Sequence, residues 1–120
     1  TRLVGSEMCI RDRFFDYYRM PRGFHERSVN STGAWTATMP LSFMNMPLLS
    51  YASEITIPTL IVTGEKAHSR YFAEDAYKVV GSNDKELVVV PGANHVDLYD
   101  NVAGKIPFAK FEQFFQTKLK

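Results

Sequence analysis

"KELVVVPGANH", residues 85–95, decides how this chain is read. Leu87 to Val90 form a short apolar run with three successive valines, the pattern of a strand buried on both faces of a sheet. Pro91 and Gly92 break the run, so the strand segment closes within residues 85–92 and His95 falls in the loop just beyond. A histidine at the rim of a sheet is well placed to move protons, provided it has a partner.

Working outward, "IPTLIVTG", residues 57–64, is a second apolar run bounded by Pro and Gly. Between the two runs, "SRYFAEDAYKVVG", residues 69–81, has helical spacing. Phe72, Ala76, Val79 and Val80 share a face, Ser69 stands as N-cap and Gly81 as stop. "IPFAKFEQFFQTKLK", residues 106–120, places Phe108, Phe111, Phe115 and Leu119 on one face, with Pro107 at the start and lysines at the end. Strand, helix, strand, helix predicts an α/β fold with a right-handed parallel crossover. Two such strands need helices on both sides and further strands beside them, which residues 14–56 do not obviously supply. The expected sheet is therefore incomplete.

The preceding region is less regular. Residues 14–19 are apolar enough to end a helix, and residues 20–39 are punctuated by Pro21, Gly23 and Gly33. Residues 40–55 have helical density interrupted by Pro47, with Asn45 placed to cap a second short helix. Met44 and Met46 suit either core filling or an adaptable pocket.

The chain has 120 residues, 45% hydrophobic and 22% charged, with a formal net charge of +1. That composition fits one soluble globular domain. It contains no basic block to recommend nucleic acid and no apolar run long enough to cross a bilayer. The single cysteine, Cys9, cannot form an internal disulfide. It lies in "LVGSEMCIRD", which resembles, residue for residue, a translated transposase-type sequencing adapter. On that resemblance residues 1–13 are expected to be an artefact, leaving residues 14–120 formally neutral and free of cysteine.

Residues 57–120, with the "GEK" turn after one strand and the "PGANH" loop after the next, resemble the C-terminal end of an α/β-hydrolase. The strings "GEKAHSRYFAEDAYK" and "YYRMPRGFHERSVNSTGAWT" are similar to a bacterial branch near the dienelactone and acyl-peptide hydrolases. The resemblance implies that residues 14–120 are the C-terminal fragment of one such domain, with the last two parallel strands and their helices. It also implies a nucleophile–acid–histidine triad in that chain order, with His95 as general base and then general acid. The acid is open. The family's usual position falls on Ala67, so Glu65 is expected in its place, with Asp75 or a residue outside the chain as alternatives. Asp97 and Asp100 suit turn or cap duties. No G-x-S-x-G string occurs, so the nucleophile and oxyanion donors are expected outside these residues.

The implied function is a cytoplasmic serine-type hydrolase cleaving a small-molecule ester, thioester or amide through an acyl-enzyme, the fragment itself being inactive. The alternative is a non-catalytic binding or scaffold protein on a degenerate version of the fold. No cofactor or metal is expected, since His25, His68 and His95 lack metal-ligand spacing. Arg22, Arg27 and Arg70 could grip an acidic substrate, but scattered arginines are more often solvated surface.

Overall fold

The computed structural model describes residues 12–27 and 38–119, in two compact units that divide between Met46 and Pro47. The expected adapter-derived segment lies outside the described residues except for residues 12 and 13, which open a helix over residues 12–18 (α1). In this first unit the Gly23 N–H donates to the Tyr17 carbonyl at 3.0 Å, folding the chain back after α1. A second helix, α2, spans Met39–Met44. Its end fits Pro47, since the residue before a proline is turned away from helical geometry.

The second unit holds the α/β core. Strand β1 (Thr59–Gly64), helix α3 (Arg70–Val79), strand β2 (Lys85–Val90) and helix α4 (Phe108–Lys118) follow in the expected order. The strands pair in parallel, from Thr59 against Lys85 to Gly64 against Val90. The expected helix behind Asn45 is replaced by turns and a 3-10 turn at Ala52–Glu54. There the Gly81 N–H donates to the Ala52 carbonyl at 3.1 Å. A Cβ on Gly81 would overlap the Ser53 carbonyl, so close backbone approach requires glycine at this helix stop.

Burial departs from expectation in a consistent way. The strands were expected to be buried on both faces, yet most of their residues are half-buried, with full burial reached at Thr63, Gly64 and Val90. Among the described residues β1 and β2 pair only with each other, so each has a neighbour on one side. On α4 the expected apolar face is also revised. Phe114 is buried, whereas Phe108, Phe115 and Leu119 are exposed. Lys110 and Lys118, one helical turn either side of Phe114, meet Glu86 and, at 2.7 Å, Asp84, on the side of α4 that holds the buried ring. Phe72 and Val79 of α3 are likewise exposed.

Candidate functional site

The C-terminal ends of β1 and β2 converge on His95. Gly64 closes β1 so tightly against the next loop that a Cβ there would lie 2.5 Å from the Ala93 carbonyl oxygen. The same carbonyl accepts the Lys66 N–H at 2.8 Å, and Gly92 turns the chain with φ of 64°. Asn94 and Asp97 then exchange side-chain and backbone bonds. Asn94 Oδ1 accepts from the Val96 and Asp97 N–H groups, and Asp97 Oδ2 accepts from the Asn94 N–H, all at 3.0 Å. This reciprocal capping winds a 3-10 turn at Val96–Leu98 and fixes His95 at its start.

His95 is half-buried. Its Nδ1 lies 2.7 Å from the Ser69 hydroxyl, its ring centroid is 5.0 Å from that of His68, and Tyr99 meets it edge-on at 5.3 Å. A cleft of about 330 Å³ is lined by His95 together with Ser69, Phe72, Leu98 and Tyr99. Burial, and then the neighbouring charge of His68, push the imidazole's pKa below its ordinary value. At neutral pH it is therefore an uncharged imidazole, able to accept a proton.

The other residues singled out in the sequence fall in different places. Glu65, expected as the triad acid, directs Oε2 to the Gly92 N–H at 2.6 Å, where it pins the loop after β2. Asp75 pairs with Lys78 at 2.8 Å on the exposed side of α3. Asp97 is buried and takes Lys105 Nζ at 3.0 Å, while Lys105 also donates to the Gly92 carbonyl at 2.9 Å. Asp100 accepts the Val102 N–H at 3.1 Å, the turn duty expected of it. Ala67 is buried beside the cleft.

Arg70 is held by Glu74 at 2.7 Å, Arg22 lies over the Tyr17 ring at 5.5 Å, and Arg27 is exposed. His25 Nδ1 accepts the Arg27 N–H at 3.1 Å. Met44 and Met46 are exposed. Among the described residues no group of three His, Cys, Asp or Glu side chains could hold a metal ion. No helix among them is long and apolar enough to cross a membrane.

Ser69 is the residue sequence reasoning misplaced. It occupies the N-cap position of α3, but its side chain makes no capping bond and turns to His95 instead. The available signal was its place just after β1, level with the loop that follows β2.

No protein-family model matches the chain. It is 52% identical over 120 residues to the uncharacterized protein PA2218 of Pseudomonas aeruginosa, covering 99% of this chain and 32% of that protein. It is 47% identical over 49 residues to the uncharacterized protein YcjY of Escherichia coli, covering 41% of this chain and 16% of YcjY. The crystal structure of the hypothetical protein PA2218 matches with a TM-score of 0.78 at 54% identity, over 88% of this chain and 33% of that one.

These findings overturn the expected assignment to the α/β-hydrolases: the matched relatives carry no hydrolase description, and no hydrolase family model matches. A glycine closing one strand and a histidine loop after the next are features any parallel strand–helix repeat can carry, so the two motifs were too little to fix a family. The likeness to PA2218 spans 99% of the chain in sequence and 88% in structure. What stands is an α/β chain similar to PA2218 and spanning about a third of that protein's length.

Proposed function

We propose that His95 is the proton-transfer residue of a serine-type hydrolase that cleaves an ester, thioester or amide through an acyl-enzyme. The observation that carries this reading is the half-buried, hydrogen-bonded imidazole at the C-terminal edge of two parallel strands, opening on a cleft. That edge is where ligands bind in open α/β sheets. A depressed pKa keeps the ring unprotonated near neutrality, as a general base requires.

The reading includes a larger parallel sheet, of which β1 and β2 are two members, with the nucleophile and oxyanion donors supplied from outside the described residues. Half-buried strands and the exposed Phe72, Phe108 and Phe115 support it, as does the greater length of PA2218. On this reading the 120-residue chain alone is inactive. A cytoplasmic setting belongs to the same proposal.

The test is hydrolysis of a short-chain nitrophenyl ester by the protein encoded by the whole reading frame around these residues. His95→Ala is expected to lower kcat by roughly 10²–10⁴-fold, the usual contribution of a positioned acid–base group. Unchanged turnover would remove His95 from the chemistry and favour a binding or scaffold role.

A further inference from the structure

We propose that Ser69 is the positioning residue for His95: its hydroxyl oxygen accepts the Nδ1–H and so selects the tautomer whose Nε2 can take up a proton. This deepens the reading of His95 as a base and rests on it. The two ring nitrogens are not equivalent, since the bond made by one decides which carries the proton in the neutral ring. In hydrolases that use a histidine base, the group on Nδ1 holds the imidazole in the productive tautomer, and a carboxylate commonly fills that place.

Here two carboxylates of the surrounding loops are bonded to backbone or to lysine. Glu65 Oε2 accepts the Gly92 N–H, and Asp97 is bound to Lys105 and the Asn94 N–H. Ser69 stands on Nδ1 at 2.7 Å, brought there from 26 residues upstream. Its position is well defined by the backbone around it. The Arg70 N–H donates to the Ala67 carbonyl and the Phe72 N–H to the Ser69 carbonyl, both at 3.1 Å, at the start of α3. Its hydroxyl is not used to cap that helix, which leaves it available to the imidazole.

A neutral hydroxyl selects the tautomer but does not balance an imidazolium charge as a carboxylate does. Its effect should therefore be modest. Losing one neutral hydrogen bond corresponds to a rate change of roughly 3- to 10-fold, against about 10⁴-fold when a triad carboxylate becomes an amide.

The experiment uses the protein of the whole reading frame, labelled with ¹⁵N in its imidazoles. In the wild type the His95 resonances should report the Nδ1–H tautomer. Ser69→Ala should shift them toward Nε2–H and lower kcat about 3- to 10-fold with KM unchanged. Ser69→Thr, which keeps the hydroxyl, should restore both. An Nε2–H tautomer in the wild type overturns the proposal without need of any variant. So does full activity in Ser69→Ala while His95→Ala is inactive. Covalent labelling of Ser69 by a fluorophosphonate also overturns it, by making Ser69 the nucleophile. Full activity in His95→Ala, by contrast, defeats the underlying reading of the base.

Discussion

The two ends of the strand pair are built differently. At the C-terminal end nearly every loop is knitted by polar bonds: Lys66 to Ala93, Glu65 to Gly92, Lys105 to both Gly92 and Asp97, and Ser69 to His95. At the N-terminal end Asp84 is bonded to Thr59, Ser82 and Lys118, but the surface beside these bonds is apolar and open. Ile55 and Ile57 are exposed, and Pro58, Leu60 and three phenylalanines of α4 line a groove of about 390 Å³. Directional bonds hold a geometry, whereas apolar surface supplies stability only where something covers it. The contrast teaches that polar bonds define the geometry where His95 is placed, while apolar surface beside the other end lies open.

The sharpest way to break the comparison lies within α4. Phe114 is 8% exposed and its neighbour Phe115 is 53% exposed. Phe114→Ala should destabilise the chain by about 3 kcal/mol, through lost burial and an unfilled cavity. Phe115→Ala should change stability by less than about 0.5 kcal/mol in this chain, as surface substitutions do. Chemical denaturation of both variants measures the difference, and equal losses would mean that the Phe115 side is covered in solution.

Gly64→Ala tests the knitted end directly. A methyl group 2.5 Å from the Ala93 carbonyl oxygen meets backbone, which cannot swing aside as a side chain would. A loss of about 2 kcal/mol is expected, with displaced resonances in the 93–95 loop seen by NMR. Lys105→Met should cost about 1–2 kcal/mol by leaving the buried Asp97 carboxylate without its cation. Because Lys105 is a third exposed, solvent screens part of that loss. Adding Asp97→Asn to Lys105→Met should cost less than the two single losses together, since both remove one interaction.

Element order was legible in the sequence because it depends on local patterns. Valine runs cut by Pro-Gly marked β2, and Ser69 and Gly81 bracketed α3 within a residue or two. What stayed illegible depends on contacts between elements. Helical spacing put Phe108, Phe111, Phe115 and Leu119 on a common face, but spacing alone does not show that the side of Lys110, Phe114 and Lys118 meets Glu86 and Asp84. His95 was found because a loop histidine beyond a buried strand is conspicuous. Ser69 was missed for the opposite reason: a serine before a helix has an ordinary explanation in capping, and its bond to His95 spans 26 residues. Glu65 is picked out by its place at the strand's edge and its reach, neither of which reveals the bond it accepts from the Gly92 N–H.

The smallest expected effect concerns protonation. Burial and the neighbouring His68 hold the His95 pKa below the ordinary value of 6.5, so the unfolded chain takes up a proton at this residue more readily than the folded one. Stability linked to His95 is therefore fully present above pH 6.5 and is lost as pH falls through that value toward the lowered folded pKa. Denaturation midpoints measured from pH 8 down to about 5 should show this decline in the wild type, with a shallower slope in His95→Ala. A slope unchanged by the substitution would place the ring in a more solvated setting than the bond to Ser69 and the contacts with His68 and Tyr99 describe. The knitted end would then be looser than its hydrogen bonds imply, and the contrast with the apolar end would narrow to a difference in polarity alone.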